Sequence, residues 1–200
     1  MTASPPVRRI GAIILAAGPS TRLGYPKQLI EHEGEALVRR AAAAALDAGA
    51  RPVLVVVGAS SEEVSNALEG LDGVKTLHNE KWESGLASSL SAGLAALNAD
   101  KAITGALVMV VDQPLVDANA LRRLMTGFDE AHRIVASAYD DIVGVPVVIG
   151  SEHFAALMNL KGDEGAGRWL RARLPDVTQV DVASASVDID TPADAERLNS

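Results

Sequence analysis

Three short runs of apolar residues stand out in the first part of the chain, at residues 10–15, 52–57 and 106–111. A run of this length without polar alternation is typical of a strand that is buried on both faces, as in a parallel sheet covered by helices. Three later segments also have strand composition, and they cover residues 134–138, 143–149 and 177–182. The chain therefore predicts a central sheet of buried strands.

Helical patterns fill the intervals between these segments. They cover residues 35–48, 61–68, 84–97, 152–158 and 165–173, and a last helix follows residue 190. Ser61 is expected to be the N-cap of the second helix. Because parallel strands need a crossover long enough for a helix, the alternation predicts an α/β fold, namely a Rossmann-like, three-layer, doubly wound and mostly parallel sheet.

Composition and charge narrow the classes of function. The 200 residues are 48% hydrophobic and 22% charged, which fits one globular domain over residues 1–200. The net charge of −8 argues against an extended surface for nucleic acid or acidic membranes. The absence of cysteine excludes disulfides and thiolate metal sites. Since residues 1–9 lack a signal-peptide pattern and no apolar run could cross a bilayer, we expect a cytoplasmic protein.

The loop after the first strand reads LAAGPSTRLGYPKQ, at residues 15–28. Gly18 and Gly24 allow a close backbone approach, and Arg22 and Lys27 bring two positive charges into one small volume. Ligands of open parallel sheets bind outside the carboxyl ends of strands, so this loop favours a polyphosphate. The Walker A and dinucleotide-binding fingerprints do not match it. The structural alternative is a plain strand-to-helix connection with solvated basic side chains.

Acidic residues follow the third apolar run and precede the last helix. Asp112 comes directly after that run, and Asp188 and Asp190 stand before Thr191 and Pro192. Two carboxylates from distant segments could hold one Mg²⁺, with phosphates and water completing the octahedron. An aspartate before Thr-Pro and a helix is also typical of an N-terminal cap, and this alternative applies to Asp190.

Five motifs carry a resemblance to a known family. The loop at residues 15–27 resembles the signature of the nucleotidyltransferases that modify sugar phosphates and cofactors. Four more stretches support it in the expected order: NEKWESGLASSLSAGL (79–94), VVDQPLV (110–116), GVPVVIG (144–150) with LKGDEGAGRWL (160–170), and DIDTPADAERL (188–198). The chain is most similar to the molybdenum cofactor nucleotidyltransferases, and LAAG rather than LAGG resembles their cytidylyltransferase branch.

The resemblance implies an activity and a set of site residues. The activity is Mg²⁺-dependent transfer of CMP from CTP to the phosphate of molybdopterin, with release of pyrophosphate and a recipient molybdoenzyme as a further partner. Catalysis is assigned to Lys27, Arg22 and Asp112, and the metal to Asp112 and Asp190. The nucleotide is expected to contact Leu15, Ala16, Ala17, Gly18, Ser20, Arg22, Lys27, Asn79, Gly85, Ser89 and Asp112. The acceptor is expected to contact Gly162, Asp163, Gly165 and Arg168, although an extra residue, Gly167, precedes the arginine.

Three alternatives to this activity stay open. GTP could replace CTP, another phosphorylated molecule could be the acceptor, or the protein could be a non-catalytic carrier of molybdopterin. No general base is required for transfer to a phosphate, since a phosphate monoester is already ionised near neutral pH. This agrees with the four histidines, which share no ligand spacing.

Overall fold

The structure, a computed structural model, describes residues 8–198. Residues 1–7 and 199–200 lie outside the described part. The described part therefore leaves out most of residues 1–9, the segment expected to lack a signal peptide. The strands are β1 (Ile10–Ala16), β2 (Glu31–His32), β3 (Glu35–Ala36), β4 (Val53–Val57), β5 (Val74–His78), β6 (Gly105–Val110), β7 (Ile134–Tyr139), β8 (Ile142–Gly150) and β9 (Thr178–Asp181). The α-helices are α1 (Leu37–Ala48), α2 (Ser61–Ala67), α3 (Leu86–Asn98), α4 (Ala118–Gly127), α5 (Phe154–Met158), α6 (Ala166–Arg171) and α7 (Pro192–Leu198).

Seven strands form one sheet in the order β5-β4-β1-β6-β8-β7-β9. The strands β5, β4, β1 and β6 run parallel to one another, whereas β8 is antiparallel to both of its neighbours. At the edge, β9 pairs in parallel with β7. The predicted α/β fold with a mostly parallel sheet is confirmed. The strands β2 and β3 form a separate hairpin.

Helices cover both faces of the sheet, which gives the predicted three layers. On one face, Val38 of α1 and Leu121 of α4 are fully buried in one apolar cluster. On the other face, α3, α5 and α6 share a second cluster. Gly93 lets α3 lie close to β1, since a Cβ there would stand 2.6 Å from Cγ2 of Ile13. Within residues 8–198, no helix is both long and apolar enough to cross a membrane.

The structure shifts several predicted helix boundaries. The helix predicted from residue 35 begins at Leu37, because the two preceding residues pair with β2 in the hairpin. The helix predicted from residue 84 begins at Leu86, because Gly85 takes a φ of 104°, outside the helical region. Ser61 is the first residue of α2 rather than its N-cap, and Ser60 takes the N-cap position.

Among the strands and α-helices, the sequence does not predict the short hairpin strands β2 and β3, the strand β5 and the helix α4. The strand β5 lies at the edge of the sheet and is partly exposed, so its sequence has no continuous apolar run. The helix α4 does have a helix-start signal in its sequence, namely an aspartate at the N-cap position. In the structure this residue, Asp117, accepts a hydrogen bond from the N–H of Ala120 at 2.8 Å. Leu121 and Leu124 are also buried at helical spacing.

Candidate active site

The predicted site segments meet at the edge of the sheet where the parallel strands end. In the sheet, β4 pairs with β1 on one side and β6 pairs with β1 on the other side. The direction in which successive strands are added to the sheet therefore reverses at β1. Such a reversal opens a crevice between the strand ends, and open α/β sheets bind ligands there. The loop after β1 and Asp112, two residues past the end of β6, flank this crevice.

Hydrogen bonds fix the loop after β1. Gln28 is 2% exposed, and its Nε2 donates to the carbonyl oxygens of Ala16 and Gly18, both at 2.8 Å. Ser20, at a φ of 52°, accepts at Oγ from the backbone N–H of Lys27 at 3.0 Å. The loop therefore closes on itself just before Lys27. The sequence around Gln28 carries no signal for this role, because it does not show that the amide is buried against two carbonyl groups.

Lys27 lies at the centre of the site. Its Nζ is 2.5 Å from Oδ2 of Asp112 and 3.1 Å from Oδ1 of Asp190. Arg22 approaches the other oxygen of Asp190 at 3.5 Å, and its side chain is 75% exposed. Burial lowers the pKa of Lys27, but the charge and hydrogen bonds of Asp112 and Asp190 outweigh burial and raise that pKa above its ordinary value. The ammonium therefore stays charged beside the two carboxylates.

The segment before α7 brings Asp190 to Asp112. The N–H of Ile189 donates to the carbonyl oxygen of Asp112 at 2.9 Å. Other residues cap α7: Oδ2 of Asp194 accepts from the backbone N–H of Thr191 at 2.8 Å and from its hydroxyl at 2.7 Å. The alternative in which Asp190 is only a helix cap therefore does not apply, because its carboxylate contacts Lys27.

The two carboxylates form an oxygen-donor pair that fits a hard divalent cation. Asp112 and Asp190 already share one cation, the ammonium of Lys27. Across residues 8–198, no group of three or more histidine, cysteine, aspartate or glutamate side chains could hold a metal ion. A cation at this pair would therefore complete its coordination with phosphate and water oxygens, as Mg²⁺ commonly does.

More of the predicted nucleotide-binding residues lie after β5, at the same edge of the sheet. Asn79 is 6% exposed, and its Nδ2 donates to the hydroxyls of Ser88 at 2.8 Å and Ser89 at 3.0 Å. Its backbone N–H donates to the carbonyl oxygen of Val57, the last residue of β4, at 2.9 Å. Asn79 and Ser89 thus bind each other and fix the start of α3 beside the crevice.

The predicted nucleotide and acceptor segments touch at three glycines. Gly85 has a φ of 104°, and a Cβ there would lie 2.3 Å from backbone atoms of Gly162 and 2.9 Å from the backbone nitrogen of Asp163. Gly165 is the N-cap of α6, and a Cβ there would lie 2.7 Å from Cδ2 of Leu86. The two segments therefore form one continuous wall.

Lys27, Asp112, Asp190 and Arg22 form what we call the Lys27 cluster. Among residues 8–198, three other predicted site residues form no side-chain hydrogen bond or ion pair with it. Arg168 is 68% exposed and forms an ion pair with Glu164. Leu15 and Ala17 are buried, at 8% and 5% exposure, so they offer a ligand their backbone groups only. The carbonyl oxygen of Ala17 accepts from the N–H of Ala59 at 3.1 Å, which joins the loops after β1 and β4.

The sequence pattern of the MobA-like NTP transferase domain matches residues 12–178. The chain belongs to this family. The resemblance to the molybdenum cofactor nucleotidyltransferases is confirmed, and this MobA-like protein is an enzyme of the nucleotidyltransferase class. Lys27 and Asp112 fall inside the matched range, whereas Asp190 lies beyond it and joins the site through the fold.

Proteins with similar sequences cover different shares of this MobA-like chain. A protein named nicotine blue oxidoreductase, from Paenarthrobacter nicotinovorans, is 33% identical over 94% of this chain and 96% of its own length. The bifunctional protein GlmU of Sorangium cellulosum is 32% identical over 60% of this chain. This chain spans only 26% of the length of that GlmU.

Solved structures also resemble the MobA-like chain over nearly its whole length. The crystal structure of Rv0371c from Mycobacterium tuberculosis has a TM-score of 0.81 and is 31% identical, over 96% of this chain and 97% of its own. A complex of Rv0371c with manganese has a TM-score of 0.77 and is 27% identical, over 96% of this chain and 97% of its own. A nucleotidyl transferase from Methanothermobacter has a TM-score of 0.81 and is 25% identical, over 96% of both chains.

Proposed function

We propose that this nucleotidyltransferase moves CMP from CTP to the phosphate of molybdopterin and releases pyrophosphate. The observation that carries the proposal is the ammonium of Lys27 between Asp112 and Asp190, beside the exposed Arg22. This mixed cluster suits a triphosphate, because its basic groups can meet phosphate oxygens and its carboxylates can meet a metal ion. The LAAG sequence at residues 15–18 favours CTP over GTP, which is the close alternative.

The chemistry follows from where negative charge develops. An oxygen of the acceptor phosphate attacks the α-phosphorus of CTP, and a new P–O bond forms. The bond from that phosphorus to the oxygen bridging the β-phosphate breaks, and pyrophosphate leaves with the electron pair. Lys27 and Arg22 can neutralise the charge on the phosphates, so positioning and electrostatic stabilisation account for catalysis.

Asp112 and Asp190 are the residues proposed to hold Mg²⁺. A bound Mg²⁺ would coordinate triphosphate oxygens and neutralise part of their charge. The manganese complex of the similar Rv0371c supports a divalent cation in this fold. On this proposal, Lys27 exchanges its carboxylate partners for phosphate oxygens when the nucleotide binds.

The remaining predicted residues are assigned to two sides of the crevice. The segments after β1 and β5 would hold the nucleotide, with Asn79 and Ser89 fixing the backbone at the start of α3. Gly162, Asp163, Gly165 and Arg168 would line the acceptor side, which the close approach of Gly85 and Gly162 supports. We further propose that residues 1–200 act as one domain in the cytoplasm and pass the product to a molybdoenzyme.

A second candidate function is the reduction of an organic substrate. Its support is the 33% identity, over nearly the whole of both chains, to the protein named nicotine blue oxidoreductase. The loop after β1 does not match the dinucleotide-binding fingerprint, which favours nucleotidyl transfer instead. A non-catalytic molybdopterin carrier would use the same crevice without turnover.

Pyrophosphate release separates these functions. The purified protein is incubated with Mg²⁺ and molybdopterin and with CTP, GTP, ATP or UTP in separate reactions. We expect release with CTP and none without molybdopterin. Release with GTP alone would replace cytidylyl by guanylyl transfer. If none of the four nucleotides gives pyrophosphate and the protein oxidises NADH or NADPH in the presence of an organic dye, the result would support the reductase. If no pyrophosphate is released although molybdopterin binds tightly, the result would support the carrier.

A further inference from the structure

Gln113, the residue after Asp112, joins three segments of the chain. Its Nε2 donates to the carbonyl oxygen of Ala185 at 2.8 Å and to that of Val145 at 3.1 Å, and it lies 3.4 Å from the hydroxyl of Tyr139. These partners belong to the 3-10 helix Ala183–Ser186, to β8 and to β7. One amide group therefore holds the segment that leads to Asp190 against the central sheet.

The other end of the Gln113 amide is left without a partner. Its Oε1 is buried and accepts no hydrogen bond from any residue within the described part of the chain. A buried acceptor without a partner is destabilising, so an apolar side chain of the same length would fill this space at less cost. The role of the amide therefore lies in the hydrogen bonds that its nitrogen donates.

One of those hydrogen bonds holds the segment that leads to Asp190. Ala185 stands a few residues before Asp190, and the N–H of Ile189 is bound to the carbonyl oxygen of Asp112. The segment between them is thus tied to Asp112 and to its neighbour Gln113 at two points. Without the Gln113 bond, the segment keeps the Ile189 bond to Asp112 and the contact of Asp190 with Lys27, but it loses its hydrogen bond to the residue after Asp112.

We infer that Gln113 is a positioning residue that holds Asp190 where it can share a cation with Asp112. The inference rests on the proposed function, in which these carboxylates hold the metal of a metal–nucleotide complex. Residues that orient metal ligands typically change metal affinity by about tenfold to a hundredfold when they are replaced. We expect a change of the same size when Gln113 is replaced. The change should affect the affinity for a metal–nucleotide complex and leave the affinity for the metal-free nucleotide unchanged.

The test compares binding of CTP with and without a metal. Mn²⁺–CTP is titrated with protein and followed by the relaxation of water protons, and metal-free CTP is titrated in EDTA by calorimetry. The variant is Gln113→Met, which keeps the length of the side chain and removes the donors. The control is Gln179→Met, at an exposed position of β9. We expect about tenfold weaker binding of Mn²⁺–CTP to Gln113→Met, with metal-free CTP and the control unchanged.

The other outcomes separate the inference from the proposed function. If Gln113→Met binds Mn²⁺–CTP as the wild type does, or loses both forms of CTP equally, Gln113 does not position the metal pair. If the wild type itself binds Mn²⁺–CTP no better than metal-free CTP, the proposed cation site is wrong and the inference falls with it. Should Gln113→Met not fold, Gln113→Asn, which pulls the amide back by one methylene, decides by the same criteria.

Discussion

The ammonium of Lys27 lies 2.5 Å from a carboxylate oxygen of Asp112, although 85 positions separate these residues in the sequence. It also contacts Asp190, which would otherwise stand beside Asp112 as a second negative charge. A cation is therefore needed at this point of the crevice, and in the structure Lys27 supplies it. A metal–nucleotide complex would bring both a second cation for the carboxylates and phosphates for Lys27.

Replacing Asp112 by asparagine should abolish most of the activity. The variant keeps the shape of the side chain and loses the charge, so it weakens both the proposed metal pair and the placement of Lys27. We expect pyrophosphate release to fall by about a hundredfold or more, as for other electrostatic groups at a reacting phosphate or carbonyl. The matched variant Asp188→Asn should retain turnover, because Asp190 and not Asp188 contacts Lys27. Equal losses in both variants would contradict the assignment of the pair.

Replacing Lys27 by methionine should have opposite effects on the two ligands. CTP should bind about tenfold more weakly, since one charge-assisted contact to phosphate is lost. Mn²⁺ without nucleotide should bind more tightly, because the ammonium that competes for Asp112 and Asp190 is gone. Calorimetry of each ligand checks both effects, with Lys75→Met at an exposed position of β5 as the control. Weaker binding of both ligands would show that Lys27 does not compete with a metal.

Local patterns predicted six of the seven strands of the main sheet and singled out the segments that carry Lys27 and Asp112. The buried strands, the loop after β1 and Asp112 all have signals within a few residues, namely apolar runs, a mixture of glycine and basic residues, and an acid directly after a strand. Asp190 is favoured over Asp188 by resemblance only, and the hydrogen bond from the N–H of Ile189 to the carbonyl oxygen of Asp112, which brings Asp190 to the site, has no local signal in the sequence. The roles of Gln28 and Gln113 are invisible for the same reason, since an amide gains its partners only through tertiary contacts.

The contact between Gly85 and Gly162 should be intolerant of a side chain. Alanine at position 85 would place its Cβ 2.3 Å from backbone atoms of Gly162. It would also have to adopt a φ of 104°, which is unfavourable for a residue with a side chain. We expect the free energy of unfolding to fall by roughly 2 kcal/mol or more. The control is Gly167→Ala in α6, where the nearest atom would be 3.8 Å away. Chemical denaturation compares the two, and a fully stable Gly85→Ala would show that the two segments are not in close contact.

Acid stability should depend in part on Glu152. Its two oxygens accept from Nε and Nη2 of Arg133, both at 2.5 Å, and this interaction lowers the pKa of Glu152. A carboxylate with a lowered pKa stabilises the fold above its unfolded pKa, and this contribution is lost as the pH falls through the folded pKa. Glu152→Gln should therefore be less stable at pH 7, by about 1 kcal/mol or less for so exposed a pair.

The difference between Glu152→Gln and the wild type should shrink as the pH falls below the ordinary pKa of a glutamate, 4.5. Urea denaturation at a series of pH values measures it. Glu69→Gln, at an exposed position, serves as the control. A stability difference that stays constant with pH would mean that the ion pair contributes nothing through charge.

The transfer of the α-phosphate of CTP tests the proposed reaction most directly. The protein is incubated with Mg²⁺, molybdopterin and CTP that carries a radioactive label at the α-phosphate, and the products are separated by chromatography. We expect the label to move to a molybdopterin product in proportion to the pyrophosphate released, and Asp112→Asn to leave it in CTP. Label that stays in CTP with the wild-type protein, or that appears only as free CMP, would contradict cytidylyl transfer to molybdopterin.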